Sequence, residues 1–182
     1  MTHFPLSFPR LSQRQFAWDS AVLFLAVFWI GGSLILDCVV MPMLYMNGMM
    51  TEPGFASAGY SLFELFNHLE MLLSGLILTG VLAMRQSHAD CSVEVSGSRS
   101  RWVLILASSL VAIALAYTYV LTPHMGAIGI ALDMPGTIHI IPSTMAWMHG
   151  AYWLTETTKI LLLGFLLRLC YADIAAQFTK KS

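Results

Sequence analysis

The side chains able to do chemistry in this chain are set into segments that are otherwise apolar. His149, Glu156 and Lys159 stand at i, i+7 and i+10 within the hydrophobic run from Trp147 to Arg168. That spacing places all three on roughly one face of a helix. Carrying an ionisable group into hydrocarbon costs about 2.5–3.5 kcal/mol on insertion scales, so such a face turns inward, toward partners. Asp37, Glu64 and Glu70 occur in two other apolar runs. With Glu156 and Lys159 they make a set of polar intramembrane residues, and Asp37, Glu70, Glu156 and Lys159 can line an inner path for a proton or ion. At i, i+3, Glu156 and Lys159 can equally neutralise one another as an ordinary helical pair.

A second set consists of soft ligands. Nine of the 12 methionines (Met41, Met43, Met46, Met49, Met50, Met125, Met134, Met145 and Met148) fall toward one end of the apolar runs, together with His68, His124, His139, His149 and Cys38. Thioether and thiolate sulfur select Cu(I), and imidazole suits copper as well as zinc. His68, His149, Met43, Met46, Cys38 and His124 are therefore candidate metal ligands, with copper as the candidate cofactor. Methionine in such numbers also fills gaps in apolar interfaces. His68 and His149 on separate helices can alternatively give a haem its two axial ligands. No catalytic residue is nominated: there is no glycine-rich phosphate loop, no HExxH, no CxxC and no Gly-x-Ser-x-Gly elbow. The reading leans away from an enzyme, although a bundle with His and Lys can handle a porphyrin or quinone.

The elements that must position these groups follow from composition. The chain of 182 residues is 57% hydrophobic and only 10% charged, with a mean hydropathy of +0.71. This is the composition of a polytopic membrane protein rather than a soluble domain. Four runs are long enough to cross about 30 Å of hydrocarbon, near residues 21–45, 62–84, 102–121 and 145–167. The expectation is an all-α four-helix membrane bundle forming a single integral membrane domain over residues 1–182. The first run is too long for a signal-peptide core and no A-x-A site follows it, so it reads as a retained span. Pro42 and Pro123 mark where the first and third runs kink or end. Pro53-Gly54 is turn chemistry, residues 85–101 read as a cytoplasmic linker, and the apolar stretch 124–147 is expected to lie on or dip into the outer interface.

Arg and Lys cluster before the first run, between the second and third, and after the fourth, while residues 45–62 and 124–147 contain none. By the positive-inside rule both termini are cytoplasmic, and a bacterial inner membrane, or an internal membrane derived from it, is the expected location. Cys91 and Cys170 fall on the reducing side and Cys38 stands alone, so no disulfide is expected. The net charge of −1 and the lack of a basic cluster exclude nucleic acid as a partner. The lipid bilayer is the expected surround. A continuous path through so narrow a bundle calls for a homodimer, and a place as accessory or assembly subunit of a larger membrane complex is an alternative role.

A shift of 81 residues aligns Pro42 with Pro123, Gly48 with Gly129 and His68 with His149. If this repeat is structural, two parallel two-helix units pack about a pseudo-two-fold axis along the membrane normal. Gly31-Gly32 followed by Val39-Val40-x-Pro42-x-Leu44, Ala58-Gly59 before Phe63, the Pro123 end of the third run and His149-Gly150 opening the fourth carry a resemblance that covers nearly the whole chain. The chain resembles the four-span domains of unknown function that include transmembrane protein 205, related at a distance to copper-resistance protein D membrane domains. The resemblance implies the four-span fold and hints at soft-metal handling. Tyr152 and Glu156 stand where that family tends to have Ser and Asn, and Tyr117 where it tends to have Asn, so any inherited polar site is altered.

Overall fold

The structure is a computed structural model that describes residues 10–49, 52, 54–89, 98–132 and 143–179. Among the described residues every regular element is a helix: α1 (Arg10–Ile35), α2 (Met41–Met46), α3 (Phe55–Ala89), α4 (Ser98–Ala116), α5 (Thr122–Leu132) and α6 (Ser143–Thr179). Single π-helical turns, Leu36–Val40 and Tyr117–Leu121, join α1 to α2 and α4 to α5. The described residues thus form four long rods.

The prolines explain the joints. A proline ring clashes with the carbonyl four residues earlier and offers no N–H, so a straight α-helix cannot run unchanged into Pro42 or Pro123. A π turn widens the coil just before each. The Met41 N–H donates to the Leu36 carbonyl and the Thr122 N–H to the Tyr117 carbonyl, both five residues back. Each widened turn buries two consecutive residues, Leu36 with Asp37 and Tyr117 with Thr118. The helix is re-aimed, not terminated. In consequence the third rod continues beyond the expected end near residue 121 as far as Leu132, and His124 lies on a helix instead of in a loop. Residues 133–142 of the expected outer loop, with Met134 and His139, lie outside the described residues, as do Met50, Pro53, Cys91 and residues 90–97 of the linker, and residues 143–147 form the start of α6.

The turn from α2 to α3 uses two left-handed glycines, Gly48 at φ 70° and Gly54 at φ 82°, a conformation that other residues adopt only with strain. Around the bundle, α1 and α4 each pack against both α3 and α6, while α5 leans on α3. The rods α1 and α4 therefore occupy opposite corners. Close approach at two corners depends on glycine: a Cβ on Gly80 would come within 2.6 Å of Val22, and one on Gly126 would overlap the Tyr60 ring.

The interior has two storeys. Val22, Ala26, Leu73, Ile77, Val81, Met84, Val103, Ala107, Leu110, Leu163, Leu166 and Cys170 fill the half nearer Arg85, Arg101 and Arg168 with apolar side chains. The half nearer Pro42 and Pro123 is polar. Outside, Phe24, Phe28, Leu65, Leu72, Leu154, Leu161 and Phe165 are exposed, the inverse of a water-soluble bundle and the expected outer surface of one solvated by lipid. Three stretches, Trp18–Met46, Phe55–Gln86 and Ser100–Ala131, are long and apolar enough to cross a membrane. The chain is an integral membrane protein. The fourth rod, α6, carries Glu156, Lys159 and Arg168 and is not among those three.

Candidate functional site

The polar storey is built around one ammonium group. α6 buries a stripe at Glu156, Lys159, Leu163, Leu166 and Cys170, the three- and four-residue spacing of a helix face. This stripe carries Lys159 to the centre of the bundle at 1% exposure. There its Nζ is paired with Glu70 Oε1 from α3, and with Glu156 Oε2 on its own helix at 2.7 Å. The same Nζ lies 5.8 Å from the Trp29 ring centre and 5.3 Å from that of Tyr117, distances at which an aromatic face attracts a cation. Four rods thus converge on a single charge.

Hydroxyl donors extend the network. Tyr117 donates to Glu156 Oε2 at 3.0 Å and Ser33 to Glu70 Oε1 at 3.3 Å. Tyr152, a turn before Glu156, donates to Asp37 Oδ1 at 2.9 Å. The Asp37 carboxylate also stands within hydrogen-bonding reach of the Glu156 carboxylate. The indole N–H of Trp29 is buried close to Glu70, without a hydrogen bond of good geometry. Beside this network a neutral one links α3 to the second π turn and α5, where Asn67 donates to Thr122 Oγ1 at 2.6 Å and Thr118 to the Asn67 carbonyl at 3.4 Å.

The charges do not balance. Asp37, Glu70 and Glu156 are three carboxylates facing one ammonium, at exposures of 6%, 1% and 2%. Asp37 Oδ2, Glu70 Oε2 and Glu156 Oε1 are each buried with no hydrogen-bond partner. An unpaired charge in so dry a place is unstable unless neutralised. The arrangement can therefore take up a small positive charge.

Of the expected polar intramembrane residues, the structure brings together Asp37, Glu70, Glu156 and Lys159 and leaves Glu64 exposed on the other side of α3. The soft-ligand set is not gathered. His68, His124 and His149 are exposed, and the Nδ1 of each is held by the carbonyl four residues earlier on its own helix, that of Glu64, Val120 and Met145 respectively. Cys38 is exposed, and Met43 and Met46 are 57% and 79% exposed. Among the described residues no three of His, Cys, Asp and Glu are arranged to hold a metal ion. His149 belongs by spacing to the same stripe as Glu156 and Lys159, but the first turns of α6 are open nearly all round.

Tyr117 and Tyr152 enter the site as donors that helical spacing alone would have found. Tyr152 is four residues before Glu156, and Tyr117 continues the buried stripe Val103, Ala107, Leu110, Ala114. Trp29 and Ser33 continue the corresponding stripe of α1.

No curated protein and no solved structure matches this chain. Residues 24–129 match the family described as a domain of unknown function (DUF4149). That stretch holds Trp29, Ser33, Asp37, Glu70 and Tyr117, while Tyr152, Glu156 and Lys159 lie beyond it. With more than half of its length matched, the chain belongs to that family of uncharacterised membrane domains.

Proposed function

We propose that the protein is a four-span bundle that binds a small cation in its interior and passes it across the membrane. α6 serves as the fourth span: its two charged core residues are neutralised by each other and by Glu70, while Leu154, Leu161 and Phe165 face outward. The single observation that carries the reading is the surplus of buried carboxylate over ammonium, contributed by separate rods and leaving three carboxylate oxygens without partners. Intramembrane ionisable groups of this kind mark ion and proton pathways.

The arginine and lysine distribution supports a topology with both termini cytoplasmic, so the polar storey lies toward the outer face. A soft cation, suggested by the resemblance to the transmembrane protein 205 domains, finds less support, because its thioether and imidazole ligands stand apart on outer helix faces. The test is flux. Purified full-length protein is placed in liposomes loaded with a pH-sensitive dye, and a potassium diffusion potential drives cation entry. Wild type should speed acidification over protein-free vesicles, and Glu156→Gln should remove the gain. Vesicles indistinguishable from empty ones under proton, sodium and potassium gradients alike would end the reading.

A further inference from the structure

We propose that the occupant of the polar storey is a single proton shared between Asp37 and Glu156, with Glu70 and Lys159 forming a fixed ion pair beside it. This rests on, and narrows, the reading of the bundle as a cation-binding one. The division follows from the partners. Glu70 Oε1 receives the Lys159 ammonium and the Ser33 hydroxyl, and the Trp29 indole N–H lies close by. The ammonium and the hydroxyl both reach Oε1 and favour the charged form of that carboxylate, while Oε2 is buried without a partner.

Asp37 and Glu156 differ. Each has one oxygen occupied by a tyrosine hydroxyl, from Tyr152 and Tyr117 respectively, and Glu156 Oε2 has a contact with Lys159 as well. The second oxygen of each, Asp37 Oδ2 and Glu156 Oε1, is buried and has no donor, as is Oε2 of Glu70, but Asp37 and Glu156 in addition have each other's carboxyl group within reach. Two neighbouring carboxyl groups in a dry site repel unless one carries a hydrogen, as in carboxylate dyads that hold one proton between them.

The titratable and charged groups facing the pair are Glu70 from α3, Tyr117 from the second π turn, and Tyr152 and Lys159 from α6. Fully ionised, the three acids and one lysine leave a net charge of −2. One proton, taken from water and returned to it, lowers this to −1, divided over a pair that already has two hydroxyl donors and an ammonium. A metal ion in the same place would need further oxygen ligands at cation distance. The described residues supply no such cluster of three.

The proposal is read by infrared difference spectroscopy on the full-length protein in lipid nanodiscs, titrated in H₂O and D₂O with and without sodium. The expected result at neutral pH is one protonated-carboxyl C=O band, shifted by deuterium, insensitive to sodium, and absent from both Asp37→Asn and Glu156→Gln. Tyr152→Phe should keep the band and move its frequency and titration midpoint, which loss of fold would not do. Wild type with no such band, a band that appears only when sodium is withdrawn, or a band that survives both substitutions would overturn the shared proton. These outcomes separate from the flux assay: cation flux without the band sinks the proton but leaves passage standing, and the band without flux does the reverse.

Discussion

The interior cluster and the outward histidines were drawn from similar residue types at similar spacings, yet the bundle treats them in opposite ways. Lys159, Glu156, Glu70 and Asp37 are enclosed, and each meets side chains from another rod. His68, His124 and His149 are exposed, and each turns back to a carbonyl of its own helix. The difference lies in cost. An ammonium or carboxylate facing lipid is too expensive to leave unpaired, so packing is organised around it. A neutral imidazole can satisfy one nitrogen locally and leave the other toward the interface.

The sharpest way to break this comparison is to remove the central charge. Lys159→Met leaves Glu70, Glu156 and Asp37 without the cation they share among the described residues, and loss of one partner from a buried pair costs about 3–5 kcal/mol. Thermal unfolding in detergent should show the largest fall of any single substitution in the chain. Adding Glu70→Gln to Lys159→Met should restore part of the loss, because residues in one network couple by about 0.5–3 kcal/mol. Strict additivity would mean that the two side chains do not share a site. Tyr152→Phe removes the donor to Asp37 Oδ1. A hydrogen bond to a charged group contributes about 1.5–3 kcal/mol, so the same assay should register a clear but smaller drop.

Packing at the rim offers an intermediate case. Gly126 on α5 faces the Tyr60 ring so closely that a methyl group would overlap it. Gly126→Val should destabilise by about 1–3 kcal/mol through overpacking, while the same change at Gly150, whose added Cβ meets nothing within 4 Å, should be nearly silent. Equal effects at the two glycines would show that helix propensity, not the α3–α5 contact, decides them.

How far these features were legible depends on the distance over which their causes act. The apolar runs and the inward turn of Glu156, Lys159, Glu70 and Asp37 follow from the price of charge in hydrocarbon and from helical spacing, both readable in one dimension. Pro42 and Pro123 were legible as disturbances of a helix but not as π turns. Whether a proline ends a rod or widens one turn of it depends on whether the following segment, here α2 or α5, gains by continuing to pack. The 81-residue shift that pairs the prolines also relates the two π turns, Leu36–Val40 and Tyr117–Leu121. It pairs the buried residues Val22, Ala26 and Leu36 with Val103, Ala107 and Tyr117. It does not describe α3 and α6 as well: Ser74, Ile77, Val81 and Met84 correspond in burial to Glu156, Lys159, Leu163 and Leu166, one residue further on. His68 and His149 thus align in sequence but not in the packing register. The choice of partners, Tyr152 for Asp37 and Glu70 for Lys159, spans 115 and 89 residues and only the assembled bundle reveals it.

The smallest expected effect is at the histidines themselves, and it is the one that tests the comparison from its quieter side. His68→Ala and His149→Ala each remove an imidazole whose recorded bond is to the carbonyl of Glu64 or Met145, within one helical turn. Those carbonyls sit in continuous helices, so they keep their main-chain partners. Neither change uncovers a charge or opens a cavity in the bundle. Unfolding temperatures should therefore match wild type within the error of the measurement, alone and in combination. If the double variant instead falls as far as Tyr152→Phe, the two imidazoles must meet a common partner, and the division between an enclosed polar interior and an exposed outer face would have to be redrawn.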